Sequence, residues 1–447
     1  MREQRASANG AAHDSAANGE TATNGVSANG SGDPATSAGA DARIDPREEC
    51  ARIKEQIGHL RPETDAYASQ FVDAILAFAG KVGTSDIHLQ PTEKGFDIRF
   101  REDGVLKPVG IFPSGSNSSV VSRLKVLSNL LTYQGDVPQE GRIDMPGGGA
   151  EVRVSTFPTL HGERAVMRFF AHHGEYSRID ELGHDEAIVG SLRDVLAETS
   201  GALLICGPAG SGKSTTLYAC LRYLVDTTAG SRSILTLEDP IEVPIPGVSQ
   251  SQVNVAAGFD LHTGLRSLLR QDPEVFVVGE IRDHLTAEIA LQACLAGQLM
   301  MATFHADSVA TAITRLLDMG IDAYQLRSGL IGVLCQRLVR KLCDCAQWSD
   351  DPGQLEGLPI GSGRIAKGCP ECLDTGYRGR VIVGEYLSLR GSELAERLVG
   401  KQDSRAIYRQ AVESGMASLW ENATQLVRDG VTSPQEVRRV MGMTMRV

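Results

Sequence analysis

Small and polar residues run almost unbroken from residue 1 to about 43, with Met1 and Val26 the larger apolar side chains and Tyr67 the first aromatic. So little apolar surface cannot offset the entropy of ordering a chain, and a disordered tail is predicted over 1–45. Cys50, Ile53, Ile57 and Leu60 then fall at helical spacing, which predicts one short amphipathic helix and linker within 46–64. From Tyr67 the pattern changes. Residues 71–79 read as a helix apolar on one face, and 86–90, 96–100 and 105–109 alternate like antiparallel strands separated by turn residues. A second helix over 120–131 and strands over 151–155 and 165–170 complete an α+β domain, bounded at 65–175.

Farther on the periodicity switches again. A helix over 192–199 leads to four short apolar runs, 202–206, 234–237, 275–278 and 300–303, each followed by helical sequence. That alternation predicts an α/β domain over 185–342, with a doubly wound, mostly parallel sheet and helices on both faces. The last hundred residues read as helical segments around a cysteine cluster, divided into a tetracysteine subdomain (343–385) and a helical C-terminal region (386–447). No internal repeat is visible.

Composition changes this picture little. The 447 residues are 42% hydrophobic and 22% charged, ordinary globular values. The net charge of −12 and pI near 5.4 argue against a broad surface that tracks nucleic-acid phosphates. No apolar run approaches the roughly 18 residues of a membrane span, and the N-terminus lacks a signal-peptide core. A cytoplasmic protein that reaches a membrane through partners is the expectation.

Candidate chemistry begins after the strand at 202–206. Gly207, Pro208, Ala209, Gly210, Ser211, Gly212, Lys213, Ser214 and Thr215 spell GxxxxGK[ST] between a strand and a helix, the context of a nucleotide-phosphate loop. Glycines let successive backbone N–H groups curl around a β-phosphate, and the helix N-terminus adds partial positive charge. Lys213 supplies a point charge between β- and γ-phosphates, and the Ser214 hydroxyl can ligate Mg²⁺. ATP and Mg²⁺ are the implied ligands.

Behind this loop three strand ends carry polar groups. Thr236-Leu-Glu-Asp-Pro-Ile-Glu242 places Glu238 and Asp239 at the ligand-facing edge of a doubly wound sheet. Val275-Phe-Val-Val-Gly-Glu280 ends in an acid suited to supporting Mg²⁺, and Thr303-Phe-His305 in a histidine placed to sense a γ-phosphate. Singly, such an acid also serves as a helix N-cap and such a histidine as a satisfied structural group. Their order behind one phosphate loop raises all three together. Cys343, Cys345, Cys369 and Cys372 suggest a metal site in a reducing compartment, with Zn²⁺ the candidate and four free thiols the alternative. The cysteines at 50, 206, 220, 294 and 335 lie in apolar stretches and read as small core residues.

Together these motifs resemble the ATPases of type II secretion and type IV pilus assembly. The resemblance also rests on Leu268-Leu-Arg-Gln-Asp-Pro273, Ala312 to Gly320, Gln336-Arg-Leu-Val-Arg340 and Gly376-Tyr-Arg-Gly-Arg380. Upstream it rests on Ser85-Asp-Ile-His-Leu-Gln-Pro91, Pro138-Gln-Glu-Gly-Arg142, and Arg153 through Arg168, and it covers roughly residues 67 to 440. It implies a RecA-like P-loop NTPase fold, a PAS-like α+β domain before it, and a homo-hexameric motor at the inner membrane. Implied partners are the membrane platform protein and an associated membrane protein with a cytoplasmic domain; direct nucleic-acid contact is not expected because of the acidic net charge. It further implies that Arg153 and Arg168 reach the γ-phosphate, that Glu238 orients or deprotonates the attacking water, and that Glu280 supports Mg²⁺. The two glutamates could exchange roles, and both arginines could instead form surface ion pairs.

Three departures stand out. The family's large first N-terminal domain is not expected within residues 1–64. Ala296-Gly-Gln298 replaces Thr-Gly-His, removing a group able to become cationic. The first cysteine pair is Cys343-Asp-Cys345, one residue shorter than a Cys-x-x-Cys knuckle. Alternatives within reach are a ring ATPase of DNA uptake or conjugative transfer, and a scaffold that binds nucleotide without hydrolysing it.

Overall fold

The computed structural model describes residues 46–82, 84–115, 119–144, 151–169, 178–390, 393–398 and 403–442. The predicted disordered tail lies outside them.

Two helices open the described chain, α1 (Pro46–Gly58) and α2 (Tyr67–Val82). Strands β1 (Asp86–Thr92), β2 (Gly95–Glu102) and β3 (Val105–Phe112) follow, then α3 (Val120–Leu127), β4 (Gln139–Asp144), β5 (Glu151–Thr159) and β6 (Gly162–Phe169). The strands form one antiparallel sheet in the order β3-β2-β1-β6-β5-β4. Period-2 alternation gives it a buried face of Ile87, Leu89, Ile98, Phe100, Val152, Val154 and Met167, which packs with Phe71, Ile75 and Phe78 of α2 and Leu124 of α3. The opposite face is polar and carries Asp86, Arg101, Arg153 and Arg168. Helix α3 stops earlier than the pattern predicted: the Ser128 hydroxyl bonds back to the Leu124 carbonyl, and Asn129 turns into the left-handed region at φ 58°. Strand β4, the edge strand, gave no alternating apolar signal.

The second sheet is built from β7 (Gly201–Cys206), β8 (Ile234–Glu238), β9 (Ser249–Gln252), β10 (Val275–Ile281), β11 (Leu299–Phe304), β12 (Leu330–Leu342) and β15 (Tyr377–Ser388). Its order is β15-β12-β7-β11-β10-β8-β9, parallel throughout except where β15 runs antiparallel to β12. Strands β7 and β11 are buried along their whole length, as a sheet covered on both faces requires. Covering helices are α4 (Glu186–Leu196), α5 (Lys213–Thr228), α6 (Leu261–Leu268), α7 (His284–Leu295), α8 (Val309–Asp318) and α9 (Ala323–Gly329). Their starts are written locally: Asp185, Asp260, Asp283 and Ser308 each cap a helix by accepting a backbone N–H three residues on.

The C-terminal region holds the short ribbon β13 (Gln347–Ser349) and β14 (Gly363–Ile365), then α10 (Glu393–Leu398), α11 (Ser404–Glu413), α12 (Leu419–Arg428) and α13 (Pro434–Met441). It is less purely helical than its sequence suggested, because β15 leaves it to join the main sheet. Glu385 on β15 is fully buried, accepting from the N–H groups of Val309 and Leu419 and from the Tyr408 hydroxyl, so one carboxylate caps both α8 and α12. Burial raises its pKa above the usual carboxylate range, with those donors acting against the shift. Cys206, Cys220, Cys294 and Cys335 are buried free thiols.

Among the described residues no helix is long and apolar enough to cross a membrane.

Candidate active site

Parallel strands point their carboxyl ends to one edge of the sheet, where β7, β8, β10 and β11 deliver the phosphate loop, Glu238, Glu280 and His305. The phosphate loop needs its glycines: Gly207 has φ 148°, and a Cβ there would lie 2.4 Å from Ser211 Oγ and 2.5 Å from the Gln336 carbonyl oxygen. Gly212, at φ 87°, ends the loop against the Gln336 amide. Lys213 folds back so that Nζ donates to the carbonyls of Gly207 and Pro208, both at 2.9 Å. Burial pulls its pKa below the ordinary lysine value, and the Glu280 carboxylate works against that shift. Ser214 Oγ donates to Glu242 Oε1 at 3.3 Å.

Gln336 holds the loop from behind. Its Nε2 donates to the Ser211 carbonyl at 2.9 Å and its Oε1 accepts from Thr216 Oγ1 at 3.0 Å. Gln336→Leu keeps the volume but leaves both partners buried and unpaired. The expected cost is about 1–3 kcal/mol of stability, with weakened nucleotide retention. Thermal melts and titration with a fluorescent nucleotide check both.

The two acids differ in surroundings. Glu238 is 3% exposed and fully engaged. Tyr218 Oη donates to it at 2.5 Å, Thr236 Oγ1 at 2.6 Å and Gln250 Nε2 at 3.0 Å. Burial and the Glu238 charge raise the Tyr218 pKa, keeping its proton on the phenol. Glu280 sits beyond a bulge: β10 and β11 lose register at Gly279, which turns the next side chain outward. A Cβ at Gly279 would be a tight fit, 3.2 Å from Glu238 Cα and 3.3 Å from the Leu237 carbonyl oxygen. Glu280 Oε1 is 2.8 Å from His305 Nε2, and Oε2 accepts from Arg282 Nε at 2.7 Å.

A cleft of about 620 Å³ collects these groups. Lys213, Ser214, Glu238, Glu280 and His305 line one side, and Arg153 and Arg168 of the antiparallel sheet line the other. With Ala209 of the phosphate loop also on the lining, the structure gathers eight sequence-derived site residues around one space. Both arginines also make ion pairs within their own sheet, Arg153 through Nη2 with Glu140 and Arg168 through Nε with Asp86. Gln298 is not in this cleft; it precedes β11 at the opposite end of the sheet, where its carbonyl accepts from Gly201 N–H. Tyr218, Gln250 and Gln336 were not singled out for these contacts, because partners 12 to 125 residues apart leave no local pattern.

The four clustered cysteines converge. Their Sγ atoms lie within 4.8 Å of one another, with Cys343–Cys369 at 3.8 Å, Cys345–Cys372 at 3.9 Å and Cys369–Cys372 at 3.7 Å. A tetrahedron with metal–sulfur bonds of ~2.3 Å has edges of about 3.8 Å. Backbone N–H groups of Cys369 and Gly376 point at Cys372 Sγ, both at 3.1 Å. The donor set fits a four-coordinate divalent ion, and the short Cys343–Cys345 spacing does not prevent closure.

Comparison with known proteins gives this geometry a lineage. A family model described as type II/IV secretion system protein matches residues 62–439. Type II secretion system ATPase E of Vibrio cholerae is 42% identical over 392 residues, covering 85% of this chain and 76% of the relative. Type IV pilus assembly ATPase PilB of Thermus thermophilus is 36% identical over 384 residues, 83% of this chain and 43% of that longer protein. In fold, the chain is similar to the ATPase DotB of Legionella pneumophila, with a TM-score of 0.61 at 20% identity over 83% of this chain and 94% of that one. By the extent of the model match and the identity of these relatives, the chain belongs to the type II/IV secretion system protein family.

Proposed function

We propose that the chain hydrolyses ATP in the cleft between its two sheets and converts the cleft's closure into work on a secretion pseudopilus or a type IV pilus. It is an ATPase motor of secretion or pilus assembly. One observation carries this reading: a phosphate loop and two arginines from a separate sheet face each other across one cleft.

The β- and γ-phosphates enter the loop, and Lys213 exchanges the carbonyls of Gly207 and Pro208 for phosphate oxygens. Ser214 and Glu280 would hold Mg²⁺, which neutralises charge developing on the transferred group when bound. Glu280, hydrogen-bonded to His305 and open to the cleft, orients the attacking water. Glu238, with its oxygens already claimed by three donors, holds the acidic box in place instead. Arg153 and Arg168 stabilise the equatorial oxygens as the antiparallel sheet closes on the nucleotide. Phosphate must displace Glu140 from Arg153, which couples nucleotide arrival to a local rearrangement.

The working form is a homo-hexamer. The four cysteines would hold Zn²⁺, which supplies a structural cross-link to the C-terminal region. The motor acts in the cytoplasm and reaches the inner membrane through the platform protein and an associated membrane protein with a cytoplasmic domain. Lys213→Ala is expected to reduce phosphate release to background and to abolish retention of a fluorescent ATP analogue. Undiminished hydrolysis by that variant would sink the reading, and native mass measurement with a non-hydrolysable nucleotide tests the ring.

A further inference from the structure

Arg101 on β2, Asp86 on β1, Arg168 on β6 and Arg153 on β5 are direct cross-strand neighbours, forming one row across the polar face of the antiparallel sheet. Like charges directly opposite each other are destabilising, so Arg153 and Arg168 side by side require compensation. Asp86 supplies much of it. It is 4% exposed, and its carboxylate is fixed by Ser85 Oγ at 2.9 Å and by Arg101 Nε at 3.4 Å. Its other oxygen accepts from Arg168 Nε at 2.9 Å. Nearby, burial and the charges of Arg164 and Arg101 lower the His88 pKa, so the ring adds no positive charge to the row near neutrality.

The atom used matters. A guanidinium has five donors in a rigid fork. Asp86 takes only the Nε–H of Arg168, and the two Nη groups have no hydrogen-bond or ion-pair partner among the described residues. Arg153 is held differently, through Nη2, by a half-exposed Glu140 that phosphate can displace.

We propose that Asp86 is a positioning residue for hydrolysis: it holds Arg168 by Nε through the whole cycle and thereby presents the Nη fork to the γ-phosphate. This rests on the reading of Arg168 as a phosphate-binding group. Arg168 keeps its tether while it works, whereas Arg153 must release its own. Asp86 does not line the cleft and acts only through the arginine. Its loss therefore lowers kcat with little effect on KM, since the lost interaction belongs to the transition state.

Steady-state hydrolysis by the full chain, with melts run in parallel, tests this. Arg168→Ala is expected to lower kcat by about 100-fold or more. Asp86→Asn should lower kcat by about 10-fold with KM changed less than about threefold, and Asp86→Glu should restore part of the loss. Asp86→Asn added to Arg168→Ala should cost nothing further. Arg168→Lys should lose as much as Arg168→Ala, because a single ammonium captured by Asp86 has no second arm for phosphate. Wild-type kcat in Asp86→Asn while Arg168→Ala is crippled, or losses that multiply in the double variant, would overturn the proposal. Wild-type kcat in Arg168→Ala would instead overturn the underlying reading of the arginine. If Asp86→Asn does not fold, Arg168→Lys decides: near-wild-type kcat refutes the tether, and loss equal to alanine supports it.

Discussion

Glu280→Gln is expected to lower kcat by at least about 100-fold while ATP affinity changes less than about threefold, the range for losing a group that orients or deprotonates water. Glu280 lies in the cleft with one oxygen on His305 and the other on Arg282. Glutamine keeps that shape but cannot accept a proton and offers one acceptor oxygen instead of two. Glu238→Gln should behave differently. Tyr218, Thr236 and Gln250 all donate to Glu238, so an amide nitrogen there would meet donors and leave buried groups unpaired. That variant should lose stability together with nucleotide retention. Phosphate release, nucleotide titration and melting curves on both variants separate the roles. A stable Glu238→Gln protein devoid of hydrolysis, beside an active Glu280→Gln protein, would exchange them.

Removal of the metal is the second large effect. The purified chain should carry about one Zn²⁺ held by four thiolates, and Cys372→Ser should release it. Structural zinc binding in small peptides is worth roughly 10–16 kcal/mol, so losing it should unravel the segment that closes on the cysteines. The unravelling should remain local. Val339, Leu358, Val383, Leu419, Val427 and Val437 form an apolar core beside the site, and buried Glu436 ties Arg340 to α13. Metal analysis, with hydrogen exchange over 343–376 in the native and chelated protein, checks this. Full occupancy in Cys372→Ser, or unchanged exchange after chelation, would refute it.

Much of this molecule is legible because its signals are local. The buried runs at β7, β8, β10 and β11 have the apolar continuity that a parallel sheet demands, and the phosphate loop carries its glycines in order. Strands β12 and β15 were harder to see. Arg337, Arg340 and Lys341 interrupt the first, and Gln336 is a buried polar group whose reason lies at Ser211 and Thr216. The bulge at Gly279 has no signature beyond a glycine before an acid; the close approach that favours a glycine there comes from the backbone of β8. Asp86 and Arg168 sit 82 residues apart, and only sheet register makes them neighbours. The arginines' salt bridges match the plainer reading of those residues, and their place on the cleft wall supports the active one.

Strand β12 passes behind the nucleotide cradle at Gln336 and ends next to Cys343. Its residues rise ~3.3 Å each, so the seven steps between those two positions span roughly 23 Å of stiff, sheet-paired backbone. A load applied at the cysteine cluster would reach the floor beneath the phosphates along paired strand, broken by one register shift between Arg340 and Leu342, rather than through a loop. The two ends of the engine share one axle.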